Sequence, residues 1–583
     1  MRRVVPALAA ALALALVVGC GGDDDDEQPA DQGDESQQEA KKGGDLTVMY
    51  AADVDKIDPG QTYYQYGMNV AYATQRPLYS YQPDDASNLE PDLAESAPEI
   101  SEDGQTVTVK IRTGVKFSPP VDREVTSADV KYGLERGFTP EVAGPYVGAY
   151  MGSLKGLKAF QDGNADEIAG IKTPDDQTIV LELEAPRGAI VAAALSMPAS
   201  APVPKEYAQK FDKRQPSAYG ENQVATGPYM VENDESGKIT GYTAGTEIRL
   251  VRNPNWDAAT DYKPAYLDSI TFKEGNDPDV ASRQILEGDG MVSGDFQLPA
   301  QILSSVSQGD QKDLMELSPP TGRFRYIAVR TDRPPFDDIN VRKALNAALN
   351  KEALRQAFGG PITGDIPTHF IPPGQPGFEE AGGDKGTGAD FMAQPKGNLE
   401  LAKEYMRKAG YDSGMYDGPA LTGVSDNATQ QKNVTQVAVE QFKQLGFEVK
   451  MRYVVRDSMY TKYCQVPSNQ PDVCPSVGWL KDFADPETLL NPVFNGKNIL
   501  EEANSNFALL DDPAINKQMD EAEVVNDPAE RNQAWGEVDK SVTDAAAAIP
   551  WLWDTQAMLR SENVNAVVGQ NLATWDLAFT SIK

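Results

Sequence analysis

Val434-Thr435-Gln436-Val437-Ala438-Val439-Glu440-Gln441-Phe442-Lys443-Gln444-Leu445-Gly446-Phe447-Glu448-Val449-Lys450-Met451-Arg452-Tyr453 changes its hydrophobic period partway along. Val434, Ala438, Phe442 and Leu445 fall at helical spacing on one face, Gly446 stands where a helix ends in a left-handed residue, and Phe447, Val449, Met451 and Tyr453 then alternate as in a strand. Helix, glycine stop and strand in so short a span predict a sheet covered by helices, an α/β lobe. Upstream the pattern recurs. Pro334-Pro335-Phe336-Asp337-Asp338 precedes an expected helix with Val341, Leu345, Ala348 and Leu349 as its stripe, stopped by Gly359-Gly360-Pro361. Asn398 caps another, with Leu399, Ala402, Met406 and Ala409 inward and Gly410 at its end. The glycine-rich connection from Gly374 to Asn398 reads as surface loop.

The N-terminal half follows a different pattern. Leu46-Thr47-Val48-Met49-Tyr50 alternates as a strand, Asp58-Pro59-Gly60 turns, and Thr62-Tyr63-Tyr64-Gln65-Tyr66 makes a tyrosine-rich loop. Those tyrosines are either ordinary packing or the wall of a cleft. Glu102-Asp103-Gly104 leads into a strand with Val107, Val109 and Ile111 on one face, and Pro174-Asp175-Asp176 into another with Ile179, Leu181 and Leu183. Between them Thr126-Ser127-Ala128-Asp129 is a capping-box helix start, with Val130 and Leu134 one turn apart. An α+β unit over about residues 85–210 is expected, with a structural role.

At 583 residues the chain is too long for one core; roughly 150 residues per domain allow about four domain-sized units. Its 88 acidic and 53 basic side chains leave a net charge of −35, which a phosphate backbone would repel, so no nucleic-acid partner is expected. Hydrophobic residues at 40% and charged residues at 24% fit a folded body. The single histidine, His369, and three cysteines leave too few soft ligands for zinc, haem or an iron–sulfur cluster, and neither cofactor nor metal is expected.

Met1-Arg2-Arg3 precedes an apolar run from Val4 to Val18 and then Gly19-Cys20, which reads as a secretory signal too short to span a membrane comfortably. Residues 1–19 are the expected signal peptide and 20–44 a tether. Gly21 to Gly44 contains nine acids, two lysines and no aromatic or β-branched residue, so it buries too little apolar surface to offset its ordering entropy. Later, the most apolar stretch, Gly188 to Val203, is broken by Ser196, Pro198, Ser200 and Pro202. Cys464 and Cys474, in a chain that leaves the cytosol, are expected to form a disulfide; two unpaired thiols are the alternative.

Leu16-Val17-Val18-Gly19-Cys20 resembles the bacterial lipobox, with Val17 where leucine is commonest. The resemblance implies that Cys20 is lipidated and holds the mature chain on the outer face of the cell membrane. Two or three acyl chains, at roughly 0.8 kcal/mol per methylene, make such an anchor stable.

Five further stretches occur in order. Leu89-Glu90-Pro91-Asp92-Leu93-Ala94-Glu95-Ser96 is followed by Asp103-Gly104 and by Ile111-Arg112-Thr113-Gly114-Val115-Lys116-Phe117, continuing through Thr126 to Val130. Thr226-Gly227-Pro228-Tyr229 comes next, with Arg252-Asn253-Pro254-Asn255-Trp256. Pro335-Phe336-Asp337-Asp338 with Val341-Arg342-Lys343-Ala344-Leu345 is the third, Ala402 to Gly410-Tyr411 the fourth, and Gly478-Trp479-Leu480-Lys481-Asp482-Phe483-Ala484-Asp485-Pro486 the last. From about Asp45 to Val567 the chain resembles the extracellular solute-binding proteins of ABC importers, family 5, of the oligopeptide-, dipeptide- and nickel-binding type. It departs at Phe117-Ser118-Pro119-Pro120-Val121, where relatives often read Phe-His-Asp-Gly, which suggests a rebuilt surface turn. A lone His369 argues against the nickel branch, whose members carry histidines in or near the site.

The resemblance implies an α/β, periplasmic-binding-protein-like two-lobe fold (type II, cluster C) with an extra α+β subdomain inserted in the first lobe, closing by hinge motion. The first-lobe base would occupy 45–84 and 211–325, the insert 85–210, the second lobe 326–549, and a return to the first lobe 550–583. Thr321 to Arg330 and Ile549-Pro550-Trp551-Leu552-Trp553 are the candidate crossovers. In peptide-binding relatives the aspartate after the Gly-Trp pair, here Asp482, pairs with the ligand's α-ammonium, a charge-assisted bond strengthened in a cleft that excludes water. Trp479 offers a flat wall beside it, with Tyr63, Tyr64 and Trp553 expected from the other lobe; core packing is the competing role for each. For Asp482 the competing role is a solvated carboxylate or turn cap, which Asp485-Pro486 fits better. The implied activity is not enzymatic: a monomer captures a small solute, a peptide ahead of a sugar, opine, metal chelate or antibiotic, and hands it to a cognate ABC permease and ATPase.

Two other classes compete. An exported hydrolase needs a nucleophile with a positioned base, or a metal cluster, yet neither Gly-x-Ser-x-Gly nor His-Glu-x-x-His occurs, and His369 lies in a loop-like stretch near Ile371-Pro372-Pro373. Asp337-Asp338 and Asp511-Asp512 have the chemistry of a glycosidase pair, but adjacent acids also serve as caps. An adhesin or chaperone-like surface protein would call for repeats or an apolar patch, and neither is evident.

Overall fold

The computed structural model describes residues 41–319, 322–501 and 504–583. The expected signal peptide, the lipidation site Cys20, the tether as far as residue 40, and Thr321 lie outside the described residues. Gly43 and Gly44, expected in the tether, belong to the folded body. The Gly43 amide donates to Tyr266 O at 2.7 Å and the Gly44 amide to the Asp268 carboxylate at 3.0 Å. Both take positive φ, 111° and 91°, a conformation that glycine reaches without a Cβ clash.

Three sheets organise the chain. The first runs in the order Met291–Ser293, Asp45–Met49, Ser269–Lys273, Glu247–Arg252, Tyr229–Val231, with Tyr242–Thr243 added to Glu247–Arg252. Asp45–Met49 is parallel to both its neighbours, and its Leu46 and Val48 join Ile248, Leu250, Ile270 and Phe272 in one core. The second is antiparallel, in the order Glu99–Ile100, Thr106–Lys110, Thr178–Glu182, Ile171–Asp175. Val107 faces Leu181 and Val109 faces Ile179, so the period-two faces read from the sequence become one buried layer. Helix Ser127–Gly137 begins with the expected capping box, the Asp129 carboxylate accepting from the Thr126 amide at 2.8 Å, and turns Val130 and Leu134 into that core.

The third sheet runs Gly364–Asp365, Ile549–Asp554, Arg323–Val329, Val473–Leu480, Leu421–Asp426, Val449–Val454. Helix Thr429–Lys443 buries Val434, Ala438 and Phe442 against it, Gly446 takes φ 87°, and the strand Val449–Val454 follows, parallel to Leu421–Asp426. The helix expected to reach Gly359 is in fact two, Ile339–Ala348 and Lys351–Phe358. Asn350 makes the break: its side chain accepts from the Ala353 amide at 2.9 Å and caps a new helix. The glycine-rich connection is not purely surface either, for Phe378, Phe391 and Met392 anchor it in the cores.

The expected crossovers are strands inside the third sheet. Arg323–Val329 pairs with Ile549–Asp554, so that sheet extends to Asp554, beyond the boundary expected at 549. On the other side Met315–Leu317 pairs with Ala557–Leu559. The same two stretches of chain thus pair on both sides of Ser318 and Gln556. Ser318 and Gln556 clasp there, Ser318 N donating to Gln556 O and Gln556 N to Ser318 Oγ, each at 2.9 Å. No helix among the described residues is long and apolar enough to cross a membrane.

The lobes meet in a closed arrangement. Arg187 of the inserted unit pairs with Glu487 of the second lobe at 2.6 Å and with Glu523, while Arg531 holds Glu487 at 2.6 Å from behind. Arg187 is the only member of this cluster that comes from the first lobe. Arg187→Ala is therefore expected to weaken closure by about 1.5–3 kcal/mol while leaving each lobe folded. Small-angle scattering of the ligand-saturated variant should show a larger radius of gyration than the wild type; identical profiles and affinities would rule the latch out.

Candidate functional site

The cleft between the lobes is built from four segments. In the first lobe Asp55 folds the tyrosine loop onto itself: its carboxylate accepts from the Tyr63 and Tyr64 amides and from Thr62 Oγ1. Asp58, three residues further, is held by both terminal nitrogens of Arg136 at 2.8 Å, and Arg136 also grips Asp212 at 2.7 Å. With their amides spoken for, Tyr63 and Tyr64 turn their rings outward, 36% and 40% accessible. Yet burial, with Asp482 adding to it, pushes the Tyr63 hydroxyl far above the usual phenol range. Tyr63 is thus partly exposed and at the same time close to Asp482 of the second lobe.

The inserted unit contributes helix Pro145–Tyr150. Tyr146 stacks on Tyr63 with centroids 5.4 Å apart and donates its hydroxyl to Tyr63 O at 2.9 Å. Tyr150, one helical turn on, donates its hydroxyl to the Asp482 carboxylate and packs edge-on against Phe483 at 4.8 Å. This unit was expected to be structural, and the sequence carried one signal to the contrary: tyrosines four apart on a short helix opened by Pro145.

In the second lobe, strand Val473–Leu480 delivers Trp479 and then the loop bearing Asp482. Lys481 N donates to Gly322 O at 2.7 Å and Phe483 inserts into the core of the inserted unit, so the backbone on both sides of Asp482 is fixed. Burial pushes the Asp482 carboxyl up to about 7, the Tyr150 hydrogen bond opposing it. Among the described residues no cation lies within ion-pair distance of Asp482. Asp485, by contrast, is the structural acid: it is bound to Arg531 through two bonds of 2.7 and 2.9 Å. Trp479 is half-buried, its indole N–H donating to Thr488 O at 2.7 Å.

Trp553 does not face the cleft. It sits on the third sheet, 1% accessible, with its N–H on Phe370 O at 3.2 Å and its ring against His369 and Phe378. An aromatic at a strand position reads the same whether its face is core or cleft, and here it is core. His369 lies in a loop, as expected, but is buried in the same cluster. Its Nδ1 lies 2.9 Å from Asp539 Oδ2, and its neighbours are aromatic rings. The Asp539 carboxylate also accepts from the Thr543 hydroxyl at 3.1 Å and from the Phe370 and Ile371 amides. No group of three or more metal-ligating side chains occurs among the described residues.

The fourth segment, which the sequence reading missed, is Arg456–Met459 with the π-helical turn Tyr460–Cys464 behind it. Cys464 is disulfide-bonded to Cys474 on the strand that leads to Asp482, with Cα atoms 6.4 Å apart. Arg456 and Tyr460 are thereby fixed relative to Asp482.

The family model described as bacterial extracellular solute-binding proteins, family 5, middle region, matches residues 88–501. The glutathione-binding protein of Salmonella typhimurium is 24% identical over 527 residues, covering 89% of this chain and 91% of that protein. The oligopeptide-binding protein of Bacillus subtilis is 25% identical, covering 81% of this chain and 81% of its own. Among solved structures, clavulanic acid biosynthesis oligopeptide binding protein 2 superposes with a TM-score of 0.80 at 26% identity, over 93% of this chain and 96% of that one. The Escherichia coli murein tripeptide binding protein shares the fold, with a TM-score of 0.75 at 18% identity over 93% and 98% of the two chains. The family match spans most of the chain and the two-lobed architecture agrees with it: this protein belongs to the bacterial extracellular solute-binding proteins, family 5.

Proposed function

We propose that the chain is the peptide-capturing component of an ABC importer, binding its ligand by a free α-ammonium on Asp482 and passing it unaltered to a membrane permease and ATPase. The observation that carries the reading is the Asp482 carboxyl itself, enclosed between the lobes with Tyr150 as its hydrogen-bond donor and no ion-pair partner among the described residues. A buried carboxylate without a counter-charge is costly, and a ligand ammonium supplies one. Tyr63, Tyr64 and Trp479 offer flat walls that accept varied side chains. The names of the relatives point the same way: glutathione, oligopeptides and a murein tripeptide are peptide ligands.

Native mass spectrometry of gently purified protein, with a thermal-shift assay against a mixed pool of short peptides, tests this. Peptides that co-purify, stabilise the fold and are recovered at unchanged mass are expected. A protein stabilised only by sugars or other amine-free solutes, or one that returns cleaved peptides, would refute it.

The finer location follows from the N-terminus. Cys20 carries the lipid, the acidic segment after it is the leash, and the body works as a monomer outside the cytoplasmic membrane. In a bacterial host, an alkyne-tagged fatty acid should label the full-length chain and leave Cys20→Ala unlabelled and released from membranes; equal labelling of both would exclude this anchor.

A further inference from the structure

We infer that the first lobe carries a second ligand pocket, separate from the cleft at Asp482, which takes a small protonated amine of the size of ammonium or methylammonium on the carboxylate of Asp576 and thereby favours the closed arrangement of the lobes. It does not depend on the cleft ligand being a peptide.

The pocket forms where helix Gln65–Thr74 and strand Tyr79–Ser80 meet the C-terminal segment, and its volume is about 70 Å³. At roughly 30 Å³ for each water of the liquid, it has room for a small ion and too little for a peptide. Tyr72, Tyr81, Tyr262 and Trp575 line it. Three of these rings have their polar ends tied to the protein: Tyr72 donates its hydroxyl to Ser196 O at 2.8 Å, Tyr262 to Tyr81 O at 3.2 Å, and the Trp575 indole N–H donates to Ser293 O at 2.7 Å. What they leave for a guest is aromatic surface, which attracts cations.

Asp576 supplies the charge. Its Oδ1 accepts from the Ala578 amide at 3.1 Å, and its Oδ2 lies 3.7 Å from the point where a Cβ on Gly569 would stand, so the bare glycine leaves space beside that oxygen. Asp576 and Gly569 both line the pocket and both are half-buried, so a solute can reach the carboxylate. The one cation in the wall, Lys263, is already engaged. It pairs with Asp92 and lies 3.9 Å from Asp261, and Arg76 pairs with the same two acids. Two cations and two carboxylates thus neutralise one another, and among the described residues no cation lies within ion-pair distance of Asp576. A partly enclosed carboxylate beside aromatic rings suits an ammonium.

The wall of this pocket is also a surface on which the second lobe rests. The Ala484 amide donates to the Tyr81 hydroxyl at 3.4 Å and Lys481 Nζ to Asn571 Oδ1 at 3.5 Å, on either side of Asp482 in the chain. Tyr81 and Asn571 both line the pocket. A guest that holds them in place for docking binds the closed form better than the open one and shifts the equilibrium toward it.

The test titrates the mature Asp482→Asn protein, in which the cleft carboxylate cannot take the cation, with the chlorides of ammonium, methylammonium, sodium and tetramethylammonium at equal ionic strength. Calorimetry reads affinity and small-angle scattering reads shape. Ammonium and methylammonium are expected to bind saturably and to contract the radius of gyration. Sodium, which holds its water, and tetramethylammonium, which is too large, should do neither. Adding Asp576→Asn, which keeps an acceptor for the Ala578 amide, should weaken binding roughly ten-fold or more. Adding Gly569→Ala, whose Cβ meets only ordinary contacts of 3.4 Å and longer, should weaken methylammonium by filling the space beside Oδ2. The four-salt comparison changes nothing at the pocket and so stands whether or not those variants fold. The same response to all four salts, or binding that both pocket variants leave intact, would overturn the inference. Saturable binding without contraction would overturn the link to closure.

Discussion

Asp482→Asn is expected to weaken binding of a peptide with a free amino terminus by roughly 2–5 kcal/mol, roughly thirty- to several-thousand-fold in Kd, while an N-acetylated peptide binds both proteins alike. The amide keeps the shape and the Tyr150 hydrogen bond but removes the charge, so a ligand ammonium is left buried without a counter-ion. The effect is pH-dependent in a defined direction. Burial raises the carboxyl to about 7 in the closed cleft, so below that pH a proton neutralises the group and competes with the ammonium. Above it the carboxylate is free to pair. Wild-type affinity should therefore fall as the pH is lowered from about 7.5 to about 5.5, with proton release accompanying binding near neutrality. Lys481, which burial lowers to about 7, titrates in the same window, so the signature is the difference between wild type and Asp482→Asn. Calorimetry giving the same affinity and the same pH profile for both proteins would remove Asp482 from the site.

Arg136→Met should be the most damaging single change to stability. Arg136 is 2% accessible and joins Asp58, at the root of the tyrosine loop, to Asp212, at the edge of the inserted unit, through four charge-assisted bonds. Burial acts to raise Asp212, but Arg136 and the Ser217 and Tyr132 hydroxyls hold it below the usual carboxylate range. Methionine fills much of the volume and leaves two buried carboxylates without their cation, at a cost of roughly 3–5 kcal/mol. In a protein of this size that lowers Tm by roughly 3–5 °C. Adding Asp58→Asn and Asp212→Asn should recover much of the loss, because the uncompensated charges, more than the missing contacts, carry the penalty. A melting curve superimposable on the wild type, or a triple variant worse than the single one, would contradict this account.

What could be read from the sequence was local. The stripe Val434, Ala438, Phe442, the left-handed Gly446 and the capping box at Thr126 and Asp129 depend on residues a few positions apart, and each formed as its spacing implied. Asn350 shows the limit even there, because a side chain that caps a new helix outcompeted a continuous apolar stripe. The site is non-local. Tyr150 and Asp482 are separated by 332 positions, and no periodicity reports that one will donate to the other. The expectation at Asp482 came from the family resemblance, through the Gly-Trp pair before it. Arg456, beside Asp457 at a helix start, looks in the sequence like any solvated charge pair. Trp553 failed for the opposite reason, since its strand carries the same apolar pattern whether that face meets the cleft or the core.

In the proposed clamp the two halves are drawn together by a ligand bearing a positive charge. Small-angle X-ray scattering of the mature chain, recorded with and without a saturating free-acid peptide pool, tests this most directly. A radius of gyration that contracts on peptide addition in the wild type, and does not contract in Asp482→Asn, is the predicted result. Scattering curves that stay the same at peptide concentrations that raise the melting temperature would contradict it.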